Sequence, residues 1–280
     1  MTENINAISL STSVFSAEKG PGCRLTDYIA IAAEAGYPYI ELSRRQHAGT
    51  RAAIPAIRES GLKVWSVHGI LDGGALSEDE NIRKNAVESA YRRAADAAEF
   101  APCPIVEHYI FRHHDPGKGE RFRRSIEELF EKILPFGYIL CIETAPNKVS
   151  NERYPDSAEI AEFVRSFRHE NLRMTVDLNH SNLAEDLVQV AKNTAGLVRN
   201  IHVSDNHGQY EDHLPPGEGI IDFRTAFRAL RENGYTGPCN LEFHAPDPER
   251  VPSADFLRSI RLRMENMLFS EPMKKGKYEK

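Results

Sequence analysis

Short β-rich runs alternate with longer amphipathic stretches along the whole chain. The runs fall at 7–15, 38–43, 63–68, 105–109, 138–143, 172–177, 198–204 and 238–243. Between them, apolar residues recur at spacings of three and four over 25–35, 81–100, 120–134, 158–167, 182–192 and 223–232. Ile126, Leu129, Phe130, Ile133 and Leu134 make one such stripe, the pattern of a helix that buries a single face. Strand runs such as NLRMTVDL and YILCIE are apolar almost throughout instead of alternating. That predicts burial on both faces, hence a parallel sheet covered by helices. Ala35-Gly36 and Asn233-Gly234 each close a helical pattern just before a strand, as a glycine at a helix C-terminus does.

Eight βα units of about 35 residues, with no linker between them, predict a single-domain (β/α)8 TIM barrel over 1–270 and a peripheral tail at 271–280. An open doubly wound sheet is the structural alternative. The segment after the first strand, SLSTSVFSAEKG, holds neither a Gly-rich dinucleotide loop nor a phosphate loop, so no nucleotide cofactor is expected.

Composition narrows the partners. With 41% hydrophobic and 27% charged residues the chain reads as an ordinary globular protein. Its net charge of −6 offers no general attraction to a polyanion, which disfavours nucleic acid. No run of 18 apolar residues occurs, so no membrane span is expected. The N-terminus lacks the basic and apolar segments of a secretory signal. Cys23, Cys103, Cys141 and Cys239 form no CxxC pair and read as reduced core residues of a cytoplasmic protein. Arg44, Arg45, Arg112, His113, His114 and Lys118 make one basic region near the barrel mouth. It suits a carboxylate or phosphate on a small substrate, or a solvated edge.

The chemistry lies at the strand ends. Six consecutive strands finish in His68, His108, Glu143, Asp177, His202 and Glu242. In a barrel all C-terminal strand ends open on one face, so these six residues are expected to converge. One histidine at a strand end is more often a surface or hydrogen-bonded structural residue than a ligand. A carboxylate after apolar residues is harder to dismiss, because burial without a partner costs several kcal/mol. Glu143, Asp177, His202 and Glu242 share one solution, a hard or borderline divalent cation. His180, three residues beyond Asp177, can face the same mouth or merely cap the following helix. Glu41 can bond a substrate hydroxyl or pair with Arg44 or Arg45. The loop after the seventh strand, stiffened by proline and glycine, carries Glu211 and His213 and ends at Asp222, placed to cap a helix beginning at Phe223. Phe15, Glu41, Trp65 and the glycine-rich stretch 69–74 are the candidates for substrate specificity, with packing the main role of Trp65.

The motifs IET at Glu143, TVDLNH at Asp177 and His180, NIHVSDN at His202, HLPPGEGIID from His213 to Asp222, and NLEFH at Glu242 resemble the xylose-isomerase-like barrel superfamily. It comprises sugar isomerases and epimerases and also the type IV endonucleases. The resemblance covers residues 7–265. It implies one manganese, cobalt, magnesium or zinc ion bound by Glu143, Asp177, His202 and Glu242. It further implies Glu143 and Glu242 as an acid/base pair acting through an enediolate. The implied substrate is a ketose, keto-polyol or sugar phosphate, with His68, His108, His180, His213 and Glu41 as substrate contacts. A lyase or dehydratase on a related keto-sugar shares the proton-abstraction step. His68, His108 and His213, together with Glu211 where the type IV endonucleases carry Asp, also resemble a trinuclear zinc set, which implies phosphodiester hydrolysis as a competing reaction. A non-catalytic relative that kept the barrel would bind no metal. Relatives often form dimers or tetramers, so a homo-oligomer is compatible with the sequence, which identifies no interface.

Overall fold

The computed structural model describes residues 7–15, 24–110, 116–146, 154–247 and 249–269, apart from the side chains of Gln46 and His47. Cys23, Arg112, His113, His114 and the expected tail at 271–280 lie outside this set. Eight strands are present: β1 (Ile8–Ser11), β2 (Tyr39–Leu42), β3 (Lys63–His68), β4 (Pro104–His108), β5 (Ile139–Glu143), β6 (Leu172–Asp177), β7 (Val198–Val203) and β8 (Cys239–Leu241). Each pairs in parallel with its sequence neighbour, and β8 pairs with β1, so the sheet closes into a barrel. The open-sheet alternative is thereby excluded, and the protein is a (β/α)8 TIM barrel.

The helices are α1 (Leu25–Glu34), α2 (Thr50–Ser60), α3 (Glu80–Asp96), α4 (Pro116–Ile133), α5 (Ser157–Ser166), α6 (Leu178–Asn182), α7 (Leu187–Asn193), α8 (Phe223–Glu232) and α9 (Ala254–Phe269). In α4 four residues of the stripe read from the sequence, Ile126, Leu129, Phe130 and Ile133, are buried together with Phe122, whereas Leu134 lies past the helix end and is exposed. Acidic residues at N-caps start several helices by accepting backbone N–H bonds. Asp156 and Glu159 form a reciprocal capping box on α5, and Asp222 accepts from Thr225 N at 3.1 Å on α8, as expected. Gly36 and Gly234 take φ of +80° and +98°, the left-handed conformation that ends a helix at little cost for glycine.

Several boundaries differ from the sequence pattern. The first apolar run continues to Phe15, but the strand stops at Ser11, where the chain turns through the short 3-10 helix Thr12–Val14. The Ser11 hydroxyl accepts from Ser13 N and redirects the backbone. The helical pattern at 182–192 belongs to two helices, because Asp177 caps α6 and Asp186 caps α7. Helix α2 buries Thr50, Ala53 and Ile57 at the proper spacing, although small alanines and the internal Pro55 weaken its apolar signal. Strand β8 ends at Leu241, so Glu242 stands one residue past it, tied down by its N–H to Val203 O at 2.9 Å.

Candidate functional site

Strand parity places the functional side chains. Glu41 of β2 accepts from Ser66 Oγ of β3 at 2.6 Å and contacts His202 Nε2 of β7 at 2.9 Å. Side chains from the paired strands β2 and β3 meet one from the remote strand β7 there, so this face of each strand points into the barrel. Register then brings the ligand-type residues to one level: His108 lies beside Glu143, and Asp177 beside His202. Above them opens a pocket of about 450 Å³, lined by His68, His108, Glu143, His180, His213 and Glu242 and, toward the rim, by Arg44, Arg45, Tyr210 and His244.

His202, fully buried, is the hub. Its Nδ1 lies 2.8 Å from Glu143 Oε1 and 2.9 Å from Glu242 Oε2. One N–H cannot be aimed well at two carboxylates at once, whereas a cation beside that nitrogen satisfies both. Asp177 Oδ2 is buried and accepts no hydrogen bond, and His108 Nε2 is also buried without a partner. Burying such atoms is costly unless they serve a ligand. One ligand atom from each of Glu143, Asp177, His202 and Glu242 falls within 4.8 Å of the others, so the four can hold a metal ion. Three carboxylates and an imidazole suit a hard or borderline divalent cation.

Three further groups bring their ligand atoms equally close: His68–His202–Glu242 shares two members with this set, and His68–His108–Glu143 and His180–Glu211–His213 flank it. His108 Nδ1 is 3.0 Å from Glu143 Oε2. Glu211 Oε1 sits 3.1 Å from His180 Nε2 and 2.8 Å from His213 Nε2. His213 takes φ of +49°, unusual for a non-glycine residue. Hydrogen bonds on either side hold it there: Leu214 N donates to Asp205 O at 2.9 Å and His244 N to His213 O at 2.7 Å.

Charge balance among these groups follows from burial and proximity. Burial opposes the charged form of His202, but Glu242, Glu41 and Glu143 outweigh it and raise its pKa well above the ordinary value. At His180 burial is likewise overcome by Asp177, Glu211 and Glu143, which lift it to about 10. Burial is opposed at Glu143 by His108 and His202, which hold its carboxyl well below the usual range. Asp177 is raised, burial being its dominant influence. His68 is lowered by burial and by the like charge of His108. His244 is held down by burial, His213 and Arg45.

The structure brings together the residues expected at the strand ends, with Asp177 and His202 beneath the pocket and His68, His108, Glu143, His180, His213 and Glu242 on its wall. Glu41 does not take the pairing with Arg44 or Arg45 read for it, and its Oε1 is buried without a hydrogen-bond partner. Glu41 is fully buried, absent from the pocket wall, and engaged with Ser66 and His202 instead of a rim arginine. His180 is not the helix cap, since Asp177 Oδ1 accepts from His180 N at 2.9 Å and caps α6 itself. Phe15 is buried and stacked on Tyr28, and Trp65 is packed with its Nε1 donating to Asn200 Oδ1 at 2.8 Å.

Two supporting residues escaped the sequence pattern. Arg93 of α3 is wholly buried and donates to His68 O, Leu42 O, Ser43 O and Thr50 Oγ1, tying together the ends of β2 and β3. Burial lowers its pKa to about 10. Glu107 of β4 accepts from Leu71 N at 2.9 Å, and burial raises its carboxyl to about 7. A Cβ at Gly69 would stand 2.0 Å from Glu107 Oε1, which accounts for glycine directly after His68. No strand-end periodicity marks either residue; an arginine on a helical stripe is the only hint.

Residues 29–260 match the family model for the xylose isomerase-like TIM barrel, and the chain belongs to that family. A ketose 3-epimerase of Arthrobacter globiformis is 23% identical over 235 residues, 78% of each chain. An L-ribulose-5-phosphate 3-epimerase of Escherichia coli O1:K1 is 23% identical over 225 residues, 76% of each chain. Among solved structures, an L-ribulose 3-epimerase superposes with a TM-score of 0.76 at 19% identity, covering 93% of this chain and 94% of its own. At that identity the likeness shows the fold.

Proposed function

We propose that this protein is a divalent-metal-dependent epimerase or isomerase of a ketose, keto-polyol or sugar phosphate. The observation that carries this reading is the convergence of Glu143, Asp177, His202 and Glu242 at the floor of a pocket that both glutamates line. The names of the sugar epimerases that this chain resembles support it. A manganese, cobalt, magnesium or zinc ion held by these four residues would supply Lewis acidity to a hydroxyketone bound above it. Glu143 and Glu242 approach the pocket from β5 and from the end of β8. One carboxylate takes the proton from the carbon beside the carbonyl, leaving an enediolate; the other returns a proton from its own side, and the stereocentre inverts. His180, on the wall beside them, is placed to bond a substrate hydroxyl. Buried Cys103, Cys141 and Cys239, all free thiols, fit the cytoplasmic setting read from the sequence.

Turnover should fall about 100- to 10,000-fold in Glu143→Gln and in Glu242→Gln, with folding intact by circular dichroism. Deuterium uptake from heavy water into a ketose panel is the readout. Near-normal exchange in either variant would sink the two-glutamate assignment. The two flanking triads favour a second reading, a multinuclear zinc phosphodiester hydrolase. Metal analysis separates the two: about one ion per chain supports the epimerase, and two or three zinc ions with cleavage of abasic DNA support the hydrolase.

A further inference from the structure

Two cations at the pocket rim remain unused by that chemistry. Arg44 and Arg45 follow β2 directly, are exposed, and line the pocket that Glu143 and Glu242 line. Among the described residues neither guanidinium is in an ion pair or side-chain hydrogen bond. Other exposed arginines of this chain do find carboxylates: Arg24 with Asp27 at 3.0 Å, Arg58 with Glu99 at 2.9 Å, Arg124 with Glu80 at 2.7 Å. The backbone beneath the rim pair is anchored. Arg93 holds the carbonyls of Leu42 and Ser43 at 2.7 and 2.9 Å, Ser43 N donates to Thr12 Oγ1 at 2.8 Å, and Arg45 N donates to Ser43 Oγ at 3.3 Å. Two adjacent forks of N–H donors on a fixed turn are suited to one small oxyanion, since a guanidinium matches phosphate and carboxylate bidentately. Tyr210, 66% exposed, lines the same pocket and adds an aromatic ring to its wall.

We propose that the substrate is a hydroxyketone bearing an anionic group, a phosphate or a carboxylate, and that Arg44 and Arg45 bind that group while the keto end lies over Glu143 and Glu242. This rests on the sugar-epimerase reading and narrows its substrate class. Without positive charge at the rim, such a molecule would meet a wall rich in carboxylates.

The test uses the full-length, manganese-loaded protein and three hydroxyketones without stereocentres: dihydroxyacetone, dihydroxyacetone phosphate and hydroxypyruvate. Dissociation constants come from calorimetry, and deuterium uptake is followed in parallel by NMR. An anionic member should bind about 10- to 100-fold tighter than dihydroxyacetone, the range of a charge-assisted hydrogen bond. That ratio should fall toward one in the double variant Arg44→Gln/Arg45→Gln, and more salt should reduce it in the wild type. Preference for dihydroxyacetone phosphate assigns a phosphate substituent, and preference for hydroxypyruvate a carboxylate. Equal affinities, no binding of any of the three, or a preference that survives in the double variant overturns the proposal. The two readings fail separately. Arginine-dependent preference without deuterium uptake defeats the epimerase and leaves the anion subsite, whereas uptake without preference does the reverse.

Discussion

His202 shows how one side chain sets the state of the whole site. Its two ring nitrogens face three carboxylates, those of Glu143 and Glu242 on one side and that of Glu41 on the other. Those charges raise its pKa, so a proton does in the metal-free protein what a bound cation would do on the proposed reading. Ligation needs the neutral ring, so metal binding must expel that proton. Affinity for manganese or zinc should therefore tighten as pH rises from about 6 to about 8, with proton release measurable in weak buffer. Affinity independent of pH, with no protons released, would contradict this charge balance. The stability of the metal-free protein runs the other way. A histidine whose folded pKa is raised stabilises fully below its unfolded value of about 6.5, and that contribution is lost as pH climbs through the folded one. The sequence identified His202 and its carboxylates by type and position. It could not assign Glu41, because that role depends on contact with a residue 161 positions away.

At the scale of elements, the eight strands were readable within a few residues because burial on both faces leaves long apolar runs. Two of the misreadings share a cause. Side-chain bonds, such as Ser11 Oγ to the Ser13 backbone and the Asp177 cap on α6, end elements where apolar residues continue. Arg93 lies on α3 and acts on two other elements. It supplies donors to three carbonyls at or just past strand ends and to a hydroxyl, all on buried residues. Arg93→Met should destabilise the fold by about 3–5 kcal/mol, because buried polar partners are left unpaired. Urea unfolding measures the loss. A change within about 0.5 kcal/mol would show that the β2 and β3 ends stand without this brace.

For the molecule as a whole, the barrel gathers Glu143, Asp177, His202 and Glu242 together, and a ligand joining them would link distant strands. Metal at about 100-fold over its dissociation constant should add about 2.7 kcal/mol to stability, seen as a rise in Tm that a chelator reverses. Asp177→Asn should lose most of that increment while its metal-free form remains folded. The absence of any shift with manganese, cobalt, magnesium or zinc would count against a resident ion. Among the described residues no helix is long and apolar enough to cross a membrane, in line with the hydropathy of the chain.

By itself the sequence determined the architecture and the chemical types at the mouth. Apolar periodicity is local and repeats eight times, and a charged residue at the end of a buried strand has few ways to be tolerated. Only the tertiary structure decided how those residues are shared. It alone set His202 between three carboxylates, sank Glu41 below the pocket, buried Arg93 and Glu107, and left Arg44 and Arg45 at the rim without an ion pair among the described residues. Contacts between residues remote in the chain depend on strand register and barrel closure, which no local pattern encodes.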